Sequence, residues 1–369
     1  MFGQVTAFAA RLGCSRGVQY AVTAFFALDP IWGAFIQTQV KDTLYTGLFV
    51  LFVLKTADLL LFPQEGQGSR PRLTAYAVLG VLCCLLRKNG IYAVVPMLLA
   101  SAFTVSEKRL RRPVLAVLLA VCIGSFGFDT FTEKVLDIPA GSVGEALSVP
   151  MQQTARYIRD YGNEVTDDER TAIEKVLDYD AIAQSYMPEL SDGVKQYYKN
   201  PGKGDLARYM LVWAKMLLKH PVCYFEATHA NSHGYYTITK CRAINDYYTF
   251  NNDICMEMSE MNVHYLDKSG YLRYAFVQAL SAFEKLPLVG LTTSIGFMAW
   301  LTAVLGLWLA RCKAKPVLPV FICLGIFWLT CIASPVNDCM RYFLPVAGCL
   351  PLVFCLAAVF SREKSEITV

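Results

Sequence analysis

The chain alternates long apolar runs with short clusters of lysine and arginine, and one long polar stretch, from about Phe131 to Glu284, interrupts the alternation. No other feature limits the fold as strongly. An apolar run of about twenty residues is long enough to cross the hydrocarbon of a bilayer as a helix. Within that hydrocarbon only helices and closed barrels satisfy their own backbone hydrogen bonds. Runs of this kind read as helices over 17–35, 43–62, 73–86, 91–103, 114–131, 289–310, 317–333 and 342–360. That is about eight spans, of which the third and fourth are short enough to be tilted, interrupted or re-entrant. The run over 17–35 is too long and too aromatic for a signal-peptide core, and no small-residue cleavage site follows it. Hydrophobic residues at 55% and charged residues at 17% argue against a soluble globule. The expected fold class is therefore all-α: a polytopic helical membrane protein with a large, mainly helical insert. Residues 1–131 form an N-terminal bundle of about five spans, 132–284 the insert, and 285–369 a C-terminal bundle of about three.

Basic residues in short loops set the orientation. Arg11 and Arg16 precede the first run, and Arg70 and Arg72 follow the second. Lys108, Arg109, Arg111 and Arg112 follow the fourth; Arg311, Lys313 and Lys315 separate the sixth and seventh; Arg362 and Lys364 follow the last. With eight spans, all these clusters fall on one side, which is then cytoplasmic together with both termini, in a multi-pass cell-membrane protein. The insert and the links around Asp29–Asp42, Arg87–Gly90 and Ser334–Arg341 lie outside. The net charge of +4 belongs to the cytoplasmic flanks and implies no nucleic-acid surface.

The insert reads as helical. Thr166-Asp167-Asp168-Glu169 is a capping box, with threonine at the N-cap and glutamate three residues on. Leu206, Tyr209, Met210, Trp213, Met216 and Leu217 form a helical stripe that ends at His220-Pro221. Leu272, Phe276, Leu280 and Phe283 repeat the pattern before Pro287. Such helices either lie on a membrane surface or pack together as a small cap. Most of the thirteen cysteines sit in apolar runs as small apolar residues. Cys223, Cys241, Cys255 and Cys339 would face outside, where one disulfide can form.

Ionised groups are costly near hydrocarbon and either snorkel, pair or act. Three outer turns gather them on one face. Asp29 and then Lys41-Asp42 flank the first turn, Arg87-Lys88-Asn89-Gly90 makes the second, and Asp338, Arg341 and Tyr342 mark the third. Arginine forks of this kind suit a phosphate or pyrophosphate at headgroup depth. A carboxylate beside them is placed to accept a proton from an attacking hydroxyl or to hold a divalent cation such as Mg or Mn. The plainer alternative is a set of interfacial anchors and ion pairs. His229 and His233 stand four apart but lack a zincin glutamate, and no other metal-ligand spacing occurs. Lys55 and Asp58, inside the second run, are spaced to pair at i, i+3 or to snorkel. The acidic run from Glu164 to Asp180 reads as a solvated face. Gln152-Gln153 read as the start of a helix, with sugar contact as the alternative.

Taken together, Asp29-Pro30, Lys41-Asp42, Leu86-Arg87-Lys88-Asn89-Gly90, Lys219-His220-Pro221, Gly234-Tyr235-Tyr236 and Asp338-x-x-Arg341-Tyr342-x-x-Pro345 resemble the C-type superfamily of membrane glycosyltransferases. Its poorly characterised bacterial polytopic members are the nearer likeness, through Ser148-Val149-Pro150-Met151-Gln152-Gln153 and Tyr186-Met187-Pro188. The resemblance covers most of the chain, through short motifs. It implies a polyprenyl-phosphate-linked sugar as donor and an extracytoplasmic acceptor, such as a cell-envelope glycan or glycoprotein. The superfamily carries its catalytic carboxylate in a first external loop ahead of further spans. This chain passes almost directly from a short basic segment to Asp29 and Asp42, as though those helices and that loop were missing. The implied catalytic carboxylates are then Asp42 first and Asp29 second, with Lys41, Arg87, Lys88, Asn89, Asp338, Arg341 and Tyr342 binding substrate and membrane lipid around them. The rival readings are a non-catalytic or truncated homologue, or a lipid-linked sugar carrier. A carrier needs ionisable groups along a path through the bilayer, and here only Lys55 and Asp58 lie deep in a run.

Overall fold

A computed structural model of the chain describes residues 1–38, 40–63, 69–138, 141, 143–238 and 269–367. In chain order the helices are α1 (Phe2–Arg11), α2 (Arg16–Leu28), α3 (Pro30–Gln37), α4 (Lys41–Leu61), α5 (Arg70–Leu86), α6 (Gly90–Thr104) and α7 (Lys108–Lys134). Then come α8 (Ser148–Tyr161), α9 (Asp167–Glu174), α10 (Tyr179–Gln184), α11 (Asp192–Lys195), α12 (Lys203–Lys219) and α13 (Pro221–Ser232). The last are α14 (Tyr271–Glu284), α15 (Ile295–Arg311), α16 (Leu318–Ile332) and α17 (Met340–Ile367). Among the described residues the only β pairings are isolated bridges, so the fold is all-α.

Two compact units divide the chain: Met1–Ser125, Thr237–Phe327 and Met340–Val369 in one, Phe126–Tyr236 and Trp328–Cys339 in the other. Thr237, Ile238 and residues 269–284, expected in the insert, thus group with the first unit. Four helical segments among the described residues are long and apolar enough to cross a membrane: α4, α7, Lys315–Ile332 (α16 with the 3-10 turn before it) and Met340–Arg362 of α17. Each coincides with an expected run. α5 has 17 residues and α6 has 15, matching the two short runs, while α15 has 17 and begins six residues inside the run expected over 289–310, after a 3-10 turn over Gly290–Thr293. The run over 17–35 is not one helix. Asp29 is extended (φ −70°, ψ 124°) and its Oδ1 accepts a hydrogen bond from Ile31 N at 3.1 Å, capping α3. Pro30 opens α3, where its missing N–H costs nothing but could not have continued α2.

Within the first unit α4 and α17 are central: 67% and 78% of their most apolar windows are buried, against 22% for α7. Tyr45, Phe49, Phe52 and Val53 of α4 are fully buried. α7 instead exposes Leu115, Leu119 and Ile123, an outward apolar face of the kind lipid covers.

The second unit has its own core of Met151, Tyr157, Ile173, Leu177, Tyr209, Met216 and Tyr224. The stripe on α12 faces this core, with Tyr209 and Met216 fully buried and Leu206, Met210, Trp213 and Leu217 packed against it. Internal packing, not a membrane surface, therefore takes this stripe. The capping box at Thr166 and Glu169 forms with both of its hydrogen bonds. On α14, by contrast, Leu272 and Phe276 remain exposed and Leu280 is buried. Cys223 and Cys339 form no disulfide among the described residues; Cys241 and Cys255 lie outside them.

Candidate functional site

The polar centre of the first unit is Asp42, buried in the first turn of α4. The helix dipole places partial positive charge there, and two arginines from distant parts of the chain add to it. Arg87 Nη1 stands 3.4 Å from Asp42 Oδ1, and Arg341 Nε stands 3.6 Å from Oδ2. Both separations exceed the roughly 2.7–2.9 Å of a tight charge-assisted hydrogen bond. The carboxylate is thus an electrostatic hub between two guanidinium groups. One carboxylate faces two guanidiniums.

Local sequence explains how Arg87 gets there. It caps α5 in an extended conformation (φ −144°, ψ 113°), and Gly90 N donates to its carbonyl at 2.8 Å, closing the turn into α6. A Cβ on Gly90 would lie 2.5 Å from the Cys83 carbonyl oxygen and 3.2 Å from Tyr45 Oη. Only glycine allows this approach. The Arg87 guanidinium then sits over three rings, 4.9 Å from Tyr342, 5.5 Å from Phe327 and 5.8 Å from Tyr45, all within cation–π range. Its Nη1 also donates to the Tyr342 carbonyl at 3.4 Å. Arg341, in the first turn of α17, lies 5.0 Å from the Tyr342 ring and donates to its hydroxyl at 3.2 Å.

Of the residues expected at the site, Asp42, Arg87, Arg341 and Tyr342 therefore meet. Lys41 is exposed at the start of α4, and Lys88 and Asn89 are exposed in the α5–α6 turn. Asp29 is buried and engaged as the cap of α3. Tyr45 and Phe327 were not foreseen. Tyr45 follows Asp42 by three residues on the same helical face, a signal that was readable; a phenylalanine in an apolar run carries none.

Asp338 belongs to the second unit, in the left-handed region at φ 50°. Its neighbourhood is bound through backbone groups. Gly234 N donates to Asn337 Oδ1 at 2.8 Å, Asn337 N to the Glu189 carbonyl at 2.9 Å, and Tyr235 Oη to the Val336 carbonyl at 2.8 Å. A Cβ on Gly234 would fall 2.3 Å from that of Asp338. The Gly234-Tyr235-Tyr236 motif forms a 3-10 turn followed by Tyr236, and its glycine permits this contact.

Other candidates resolve as follows. His229 and His233 rings are 5.6 Å apart, His229 Nδ1 bonding Tyr236 Oη at 2.7 Å and His233 Nε2 lying 3.7 Å from Glu189. Among the described residues no cluster of three or more His, Cys, Asp or Glu could hold a metal ion. With its oxygens facing two guanidiniums, Asp42 offers a donor set that does not fit Mg or Mn. Asp58 pairs with Arg11 of α1, not with Lys55, because the two helices bring the guanidinium onto the carboxylate while Lys55 points outward, exposed. Gln152 donates to the Met187 carbonyl, and Gln153 donates to Thr228 at 2.8 Å and accepts from Trp213 Nε1 at 2.9 Å; both are buried inside the second unit.

No curated protein and no solved structure matches the chain. The pattern of one family, described as a family of unknown function (DUF6020), matches residues 2–368, and the chain belongs to that family.

Proposed function

We propose that this is a multi-pass membrane protein that binds a polyprenyl-phosphate-linked sugar at the Asp42–Arg87–Arg341 cluster and transfers the sugar to an extracytoplasmic acceptor. The observation that carries the reading is the convergence of two guanidiniums on one buried carboxylate at the start of α4. Two guanidiniums at one position suit a phosphate, because arginine presents donors in the planar fork that phosphate oxygens accept. Lys41 and Lys88, exposed on the adjoining segments, add to the attraction.

In this reaction the acceptor hydroxyl oxygen attacks the anomeric carbon of the sugar. The bond from that carbon to the phosphate oxygen breaks, and polyprenyl phosphate leaves with the electron pair. Arg87 and Arg341 stabilise the negative charge that grows on the phosphate, and Asp42 accepts the hydroxyl proton. In this arrangement about eight spans put both termini in the cytoplasm and the polar insert outside.

One observation favours a second reading, a protein that binds the lipid-linked sugar without transferring it. Both oxygens of Asp42 already face guanidiniums, and a carboxylate so held is a latch first and a base only once an arginine has turned to the phosphate. Purified protein with a polyprenyl-phosphate sugar and a hydroxyl acceptor separates the two. Transfer that Asp42→Asn abolishes while donor binding persists supports the enzyme. Donor binding with no transfer by the unaltered protein supports the binder, and no donor binding defeats both.

A further inference from the structure

Asp42 stands among the groups that would meet a phosphate, and its charge has the phosphate's own sign. Its two oxygens face Arg87 Nη1 at 3.4 Å and Arg341 Nε at 3.6 Å. We propose that Asp42 makes this site selective for a singly charged phosphodiester over a doubly charged phosphomonoester. The inference rests on the sugar-donor reading and deepens it. A polyprenyl-phosphate-linked sugar is the diester, and the polyprenyl phosphate left after transfer is the monoester. The site then holds the donor and lets the spent carrier go.

Geometry keeps the carboxylate next to any phosphate bound there. The Arg87 guanidinium is set over the Tyr342, Phe327 and Tyr45 rings, with Nη1 on the Tyr342 carbonyl. Arg87 therefore stays beside Asp42, and Arg341, the more open at 39% side-chain exposure, is the arginine that turns to a phosphate. Asp42 lies behind both, its side chain 8% exposed, in a first turn where Thr46 Oγ1 donates to the Asp42 carbonyl at 2.8 Å. A phosphate on either guanidinium is then well within the roughly 8 Å over which salt screens exposed charges, and buried groups are screened less. A phosphomonoester carries about −1.5 to −2 charges at neutral pH, and a phosphodiester carries a single one. Contacts to arginine strengthen with the charge of the acceptor. A site of arginines alone would hold the monoester more tightly and retain the product. The carboxylate opposes that second charge, because like charges repel more strongly where water is excluded.

The test titrates the full chain in detergent with polyprenyl phosphate and with its methyl diester, which share one tail and differ by one charge. At about pH 8 the monoester is doubly charged. The unaltered protein should bind the methyl diester about threefold or more above the monoester. Asp42→Asn should move that ratio about tenfold or more toward the monoester. Asp42→Glu, which keeps the charge, should leave the diester preferred. Should Asp42→Asn not fold, Asp42→Ser makes the same comparison. A ratio unmoved in the folded neutral variant, or a monoester preference in the unaltered protein, overturns the proposal. The polyprenyl-phosphate sugar is titrated alongside. If it binds while the ester ratio stays unmoved, the sugar-donor reading stands without this selectivity. If the esters bind with the expected change of ratio and the sugar donor does not bind, the donor reading alone fails. Binding of none of the three overturns both.

Discussion

Asp42 Oδ1 lies 3.4 Å from Arg87 Nη1, which joins the first turn of α4 to the turn between α5 and α6. Arg341 approaches the other oxygen from the start of α17. Three segments far apart in sequence are thereby tied by a single carboxylate at the positive end of a helix dipole. The same tie sets up chemistry, since any anion that draws either arginine away must itself supply the lost charge.

Removing the carboxylate should be expensive for the fold. Arg87 is 13% exposed at its side chain, and a largely buried cation without its partner costs about 3–5 kcal/mol, less here because Arg341 is more open. Asp42→Ala is expected to lower the thermal midpoint of the solubilised protein clearly. Asp42→Ala with Arg87→Ala should cost less than the sum of the two single changes, with a coupling of about 0.5–3 kcal/mol. Additive effects would mean the two groups do not interact.

Gly90→Ala tests the turn that delivers Arg87. The added methyl meets the Cys83 backbone carbonyl at 2.5 Å, and backbone cannot yield as a side-chain tip can. Overpacking of this kind costs about 1–3 kcal/mol. Gly127→Ala, where a Cβ meets nothing within 4 Å, serves as the matched control in the same thermal measurement. Equal midpoints for the two variants would contradict the packing described.

Much of this organisation was legible in the sequence. The apolar runs gave the long helices because length and hydropathy alone decide them, and Pro221 marked a break because proline cannot continue a helix, whereas Pro30 divides a run that hydropathy reads as one span. Asp42, Arg87 and Arg341 stood out because charge beside hydrocarbon needs a reason. What pairs with what was not legible. Asp58 finds Arg11 instead of its near neighbour Lys55, since the pairing depends on how α1 and α4 pack. The aromatic surround of Arg87 was equally hidden, for Phe327 looks like any apolar residue until the fold sets it under a guanidinium.

Acid should loosen the second unit in a predictable direction. Burial of Glu169 opposes its ionisation, but Lys219 Nζ at 2.7 Å and the Thr166 backbone N–H prevail and hold its carboxyl below the ordinary glutamate value of 4.5. A carboxyl depressed in the folded state contributes stability that is complete above its unfolded value and fades as pH falls through the folded one. Lys219 is 37% exposed, so solvent screening keeps the contribution to about 1 kcal/mol or less. Hydrogen exchange of the α9 amides, corrected for intrinsic rates, should show Glu169→Gln less protected than the unaltered protein at pH 7, with the gap closing below pH 4.5. A gap that widened in acid would reverse the sign.

The orientation can be read by labelling. Single cysteines introduced among residues 164–180 should react with a membrane-impermeant thiol reagent in intact cells, and those among 108–112 should not. Labelling of the second set without the first would turn the protein over.

The most direct measurement is donor binding by the full chain in detergent, a polyprenyl-phosphate sugar titrated against the unaltered protein, Arg341→Ala, Arg87→Ala and Arg341→Lys. Loss of one charge-assisted contact costs about 1.5–3 kcal/mol, so each alanine variant that remains folded should bind roughly ten- to a hundredfold more weakly, and Arg341→Lys should recover only part, lacking the fork. Unchanged affinity in both folded alanine variants would contradict a phosphate site at Asp42, Arg87 and Arg341 and leave the cluster as a tie between helices.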